Sequence, residues 1–177
     1  MDRFMEEVVV KKQRTLDEVL YMLAMVSMVI FAVVGFMSLQ LLLMAFSVPS
    51  LIFTLACIGI AVFLFFYRDR LRTEYEYTFT NGDLDFAQVF NNQKRKTLGS
   101  LKMSRIDAFG KVNSGAFHRY INMPGIKRSN WFLNRGAELY FFYFKKDENK
   151  RIIICEPSEE MVSYIKLYLQ RGVYQEN

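Results

Sequence analysis

The chain has 177 residues, a formal charge of +5 and 52% hydrophobic residues. That length holds one ordinary domain and something further. Two cysteines and one histidine are too few for a disulfide-stapled scaffold, and too few for a metal centre built from several such ligands.

The first 18 residues mix Asp2, Glu6, Glu7, Asp17 and Glu18 with Arg3, Lys11, Lys12 and Arg14. Phe4, Met5, Val8 and Val9 fall on one face of a short helix, which would lie at the inner membrane interface. The other reading of residues 1–15 is a frayed cytoplasmic extension. From Val19 to Tyr67 there is no Asp, Glu, Lys, Arg or His. A spanning helix takes roughly 20 apolar residues, so this run is long enough for two spans and too long for one. It is also too long for the apolar core of a secretory signal. Thr15-Leu16-Asp17-Glu18 fits a capping box at the start of the first span, which ends near Ala45. Pro49, between Ser47 and Ser50, marks the turn, and the second span runs from about Ser50 to Tyr67. Cations flank the pair at Lys11, Lys12 and Arg14 and again at Arg68, Arg70 and Arg72. The connection between the spans has none. Basic flanks stay in the cytoplasm, so both termini are expected there, in a multi-pass protein of the cell (inner or plasma) membrane. Cys57 then lies within the second span and Cys155 in the cytoplasmic part, which argues against a disulfide. Ala32, Gly35 and Ser38 make a small-residue ridge that Ala56, Gly59 and Ala61 could meet. The ridge serves packing within the hairpin, or a homo-oligomer. Gln40 is the strongly polar side chain in the first span. It would face the second span or a partner subunit, or lie near the outer surface.

Beyond residue 67 the pattern changes. Thr73–Thr80 alternates, with Tyr75, Tyr77 and Phe79 on one face and Glu74, Glu76 and Thr78 on the other, as a half-buried strand does. Asn81-Gly82 follows, the pair that best suits a type I′ hairpin turn. The return strand carries Leu84 and Phe86. Asn91–Gln93 turns the chain into a third strand over Lys94–Met103, with Gly99 as a bulge candidate. Ser104–Val112 fits a short strand better than a helical turn. Asn113–Gly136 reads as a long loop. Ala137–Lys145 is a strand apolar on both faces, Asp147–Asn149 a turn, and Lys150–Glu156 its partner strand. Ser158 then caps a final helix with Glu159 and Glu160 in its first turn. Met161, Val162, Ile165, Tyr168 and Leu169 form its buried stripe, and Gly172 ends it. A curved antiparallel sheet that closes on itself, with the helix covering one open end, satisfies this pattern.

This order of elements resembles the pleckstrin-homology-like domains of bacterial membrane proteins. With the lead "MDRFMEEVVVKKQRT", the stretch "TEYEYTFTNGDLDF" and the closing "ICEPSEEMVSYIKLYL", the whole chain is similar to a family of small, uncharacterised Gram-positive membrane proteins. The resemblance implies a membrane α-helical hairpin (16–67) joined to an α+β or all-β pleckstrin-homology-like domain (68–177). It supplies no activity and no catalytic residue.

The residues themselves show no catalytic constellation. His118 stands alone as a polar loop residue. Asp83 and Asp85 fit the solvated face of a hairpin better than a pair of acid–base carboxylates. Phosphate-cradling glycine motifs, nucleophile elbows and metal-spaced cysteine pairs are absent. No enzyme, no metal site and no cofactor are expected. Beyond residue 67, Lys and Arg outnumber Asp and Glu. Lys94, Arg95 and Lys96 gather at one turn, and Lys145, Lys146, Lys150 and Arg151 at another. Lys127 and Arg128 stand beside Trp131 and Phe132. Basic residues next to aromatics suit nucleic acid or anionic lipid. A domain tethered to a membrane meets lipid first, so nucleic acid is not an expected partner. The candidate contact residues are Lys127, Arg128, Trp131, Phe132, Lys94, Arg95 and Lys96, for anionic headgroups or a membrane protein. As plain solvated turns the same residues would have no ligand. The function expected is a non-catalytic, membrane-anchored binding or scaffolding module. The alternative is an accessory subunit of a larger transport or channel complex.

Overall fold

A computed structural model describes residues 3–175. Residues 1–2, at the head of the 1–15 segment, lie outside the described residues, as do residues 176–177. The chain forms two compact units. One is residues 13–73 with 90–93, and the other is residues 3–12, 74–89 and 94–175.

The first unit is a helical hairpin of α1 (Thr15–Met44) and α2 (Val48–Leu71). Ser47 caps α2 by accepting from the Ser50 N–H, and Pro49 sits in the first turn, where its missing N–H is no loss. The capping box expected at Thr15 does not form: Arg14 is the N-cap and makes no side-chain cap bond. Glu18 instead pairs with Arg72, because the two ends of an antiparallel hairpin meet there. Ala24, Gly35 and Leu42 of α1, with Thr54, Cys57 and Ala61 of α2, are buried. Their spacings of three, four, seven and eleven belong to a heptad-type seam. A Cβ on Gly35 would stand 3.2 Å from Ile58 Cγ1, so this glycine lets the helices approach. The expected small-residue ridge is only partly used, since Ala32, Ala56 and Gly59 are exposed on the outer faces, as is Gln40. At the charged end, Asn91 donates to Asp69 at 3.3 Å, its N–H bonds the Arg72 carbonyl at 2.8 Å, and the Arg72 guanidinium lies 3.8 Å from the Tyr21 ring centroid.

The second unit is two sheets. The first has the order β1-β2-β3-β4, from β1 (Phe4–Val9), β2 (Thr73–Thr80), β3 (Asp83–Phe90) and β4 (Lys94–Lys102). The segment expected as an interfacial helix is therefore a strand. It runs antiparallel to β2 with Phe4 opposite Thr80 and Val9 opposite Tyr75. Its alternation of Met5, Glu7 and Val9 against Phe4, Glu6 and Val8 suits either period over so short a run, and tertiary pairing decides. The hairpin turn forms at Asn81-Gly82, both with positive φ (49° and 94°). Gly82 is also sterically required, because a Cβ there would stand 2.8 Å from the Tyr168 ring. Glu76, expected on the solvent side, is buried and paired with Arg95.

The second sheet has the order β6-β8-β7-β5-β9, from β5 (Ala108–Lys111), β6 (Lys127–Trp131), β7 (Tyr140–Lys146), β8 (Asn149–Cys155) and β9 (Tyr174–Gln175). A 3₁₀ turn at Met103–Arg105 links the sheets. The expected loop at 113–136 instead holds α3 (Gly115–Ile121), capped by Ser114, and β6, which adds parallel to β8. Phe117, Phe141, Tyr143, Ile152 and Ile154 form a cluster on the outer face of this sheet. That explains why β7 is apolar on both sides. The inner faces of both sheets share the larger core, around Tyr77, Phe79, Phe86, Phe109, Phe142 and Ile153. α4 (Glu159–Tyr168) adds Met161, Val162 and Ile165 to it. Gly172 does not cap this helix. Leu169 is extended, and Gly172 (φ 82°) lies in the turn leading to β9. β9 pairs parallel with β5, close enough that a Cβ on Gly110 would stand 2.7 Å from the Gln175 carbonyl oxygen. The sheet does not close on itself: there are two sheets, and β4 and β6 are edges.

Candidate functional site, a cationic cleft between two sheet edges

Strand parity decides which basic residues meet. On β6, Lys127, Ser129 and Trp131 point to the inner face, while Arg128 and Asn130 point outward, where the Arg128 Nε donates to Asn130 Oδ1 at 2.7 Å. Trp131 packs on Phe86, ring centroids 4.7 Å apart, in the main core, and Phe132 packs in the outer cluster. The two aromatics expected side by side therefore serve opposite faces, and Arg128 does not join Lys127. Lys94, Arg95 and Lys96 open β4 and are exposed. Arg95 is paired with Glu76, and Lys94 has a partner of its own.

Lys127 does have neighbours. Parallel pairing sets it opposite Arg151 of β8, and Arg151 lies opposite Phe144 of β7. Two residues further along β7, on the same face, stands Lys146. These side chains face Leu98–Leu101 of β4 across a cleft of about 290 Å³. Ser100 and Ser129 add hydroxyls to its wall, and Trp131 and Phe144 add apolar surface. Among the described residues no acidic side chain lines it. Among the described residues Lys127, Lys146 and Arg151 make no ion pair, and the Arg151 Nε is buried without a hydrogen-bond partner. Like charges directly opposite on neighbouring strands destabilise a sheet, and a buried guanidinium nitrogen seeks an acceptor. A second cleft of about 350 Å³ shares Ser100, Leu101, Phe144 and Lys146, and adds Lys102, Arg105 and Lys145 with Asp147. Cations thus dominate the whole edge.

Lys146 and Arg151 were legible as a basic turn but not as a site. Counting strand parity outward from the Asp147-Glu148 turn would have put both on the inner face. Nothing local announces that β6 adds parallel to β8 from a distant segment and brings Lys127 there.

Elsewhere the titratable groups are structural. Burial pushes the Tyr77 phenol and the Cys155 thiol well above their ordinary pKa values, so both stay protonated. A hydrogen bond from Lys111, then one from Tyr140, holds the Glu138 carboxyl below its usual value. His118 is exposed on α3, and Asp83 stands 3.9 Å from Lys102. No group of His, Cys, Asp and Glu that could hold a metal occurs among the described residues.

Comparison with known proteins gives no match among curated proteins or solved structures. A family model described as "bacterial PH-like domain (DUF6106)" matches residues 1–175. Sheets and helical hairpin alike fall within that match, and the chain belongs to the bacterial PH-like domain family DUF6106.

Proposed function

We propose that this protein is a non-catalytic, membrane-anchored binding module with its PH-like domain at the cytoplasmic face. PH-like domains are generally non-catalytic. The observation that carries the reading is where the helical hairpin is spliced into the chain. It leaves after β1 and returns at β2, and those strands are hydrogen-bonded neighbours with Val9 opposite Tyr75. A chain that leaves and re-enters one strand pair must come back to the side it started from, which one crossing cannot do and two can. Both helices, of 30 and 24 residues, are long and apolar enough to cross a membrane. At 1.5 Å per residue they reach about 45 and 36 Å, against a hydrocarbon core of about 30 Å. Their outer faces carry exposed Leu23, Val33, Phe36, Ile52, Phe63 and Phe66, surface that lipid would cover. Lys11, Lys12, Arg14, Arg68, Arg70 and Arg72 favour the cytoplasm for both flanks.

Paired reporters test this. A cytoplasmic reporter at the C-terminus should be active, and the same reporter in the turn at Ala45–Ser47 silent. Activity at the turn would refute the hairpin. Gln40, exposed on an outer apolar face, favours a second reading, a subunit in a larger membrane complex. A stoichiometric partner retained in mild detergent would support that reading.

A further inference from the structure

We propose that the cleft between β4 and the β6–β8–β7 face binds a phosphate group, held by Lys127, Lys146 and Arg151. The proposal deepens the binding-module reading and rests on it. Three cations converge where the sheets fail to close, with no carboxylate among the described residues lining the cleft. Arg95, Lys111 and Lys102 on the same unit each have an acidic partner, in Glu76, Glu138 and Asp83. Lys127 and Arg151 are opposed across a strand pair, an arrangement an anion between them would relieve. The planar guanidinium presents a fork suited to phosphate oxygens, with a lysine on either side as a point charge. Ser100 and Ser129 supply hydroxyl donors. The cleft is far larger than orthophosphate, and its apolar part, Trp131 and Phe144, would take whatever the phosphate is attached to. The ligand class is therefore a phosphate or pyrophosphate ester. Its source is a lipid headgroup or a soluble compound.

The test uses the full chain in phosphatidylcholine nanodiscs, titrated with pyrophosphate. Equilibrium dialysis reads binding, and fluorescence of Trp131, the single tryptophan, reports on the cleft. Saturable binding is expected, weakening with added salt. Lys127→Gln and Arg151→Gln should each weaken it about tenfold, the scale of one charge-assisted hydrogen bond. Arg119→Gln, exposed on α3 at the outer face of the sheet, should change it less than about twofold. Lys127 is exposed, so its variant keeps the fold even where Arg151→Gln does not. In nanodiscs doped with phosphatidic acid, lower apparent pyrophosphate affinity identifies the headgroup as occupant, and unchanged affinity identifies a soluble phosphate. No saturable binding in either bilayer, or equal losses in Lys127→Gln and Arg119→Gln, overturns the proposal. The reporter fusions are read independently of pyrophosphate, so failure of the cleft and failure of the membrane reading are told apart.

Discussion

The phenol of Tyr77 is 1% exposed between the two sheets. Its O–H donates to the Trp131 carbonyl, and its oxygen accepts the Glu156 N–H at 3.2 Å. One side chain of β2 thereby ties the chain at the ends of β6 and β8. From Glu156 the network continues, because its carboxylate accepts from the Asn134 N–H at 3.0 Å and from Asn134 Nδ2 at 2.8 Å. Asn134 in turn donates to the Val10 carbonyl and accepts the Lys12 N–H, both at 2.9 Å. Tyr77→Phe keeps the ring and leaves two backbone groups without partners, so it should cost about 1–3 kcal/mol in denaturant unfolding. The pH dependence has a definite sign. Burial raises the folded-state phenol above its ordinary 10.0, so its contribution is fully present below pH 10 and is lost as pH rises beyond it. The stability gap between wild type and Tyr77→Phe should therefore narrow in alkaline solution. A gap that stays constant from neutral to strongly alkaline pH would count against this account.

Among elements, β1 and α4 depend on each other. Ser158 caps α4 by accepting from the Met161 N–H at 3.2 Å, and its own N–H is taken by both Glu7 carboxylate oxygens at 3.0 Å. The helix then lays Met161 and Ile165, each 0% exposed, on the inner core. Tyr168 meets Phe79 edge-on at 5.4 Å. Ile165→Asp puts an unpaired carboxylate into that core. A cost of several kcal/mol is expected, enough to unfold a domain of ordinary stability. Near-UV circular dichroism would show loss of aromatic packing. A native spectrum would mean that α4 does not lie where the contacts put it.

For the whole molecule, the hairpin is an insertion rather than a leader. Residues 3–12, 74–89 and 94–175 share one pair of sheets, and the strand ends flanking the insertion are already paired. Replacing residues 13–73 with a short Gly/Ser linker should give a soluble, β-rich protein with a cooperative unfolding transition. A chain beginning at Arg70 lacks β1. It leaves the β2 edge unpaired and the Ser158 N–H without Glu7, so its denaturation midpoint should be lower. Equal midpoints would show that β1 adds nothing.

The uncharged stretch from Val19 to Tyr67, the Asn81-Gly82 turn, the alternation of Thr73–Thr80 and the Ser158 cap were all legible in the sequence. For the helices, the turn and the cap the determining interaction is local: helical hydrogen bonds, left-handed backbone at a turn, a side chain reaching the N–H three residues on. Phe4–Val9 was not legible as a strand. Six residues with mixed periodicity accept a helix or a strand, and hydrogen bonding to β2, seventy residues away, decides. β6 was hidden for the same reason, since its partner β8 lies more than twenty residues on and pairs in parallel. With β6 went the grouping of the site: the sequence placed Lys127 with Arg128 and Trp131 with Phe132 as neighbours. Strand geometry sends consecutive side chains to opposite faces. Lys127 is joined instead to Arg151 and Lys146, through a strand register that long-range packing alone sets.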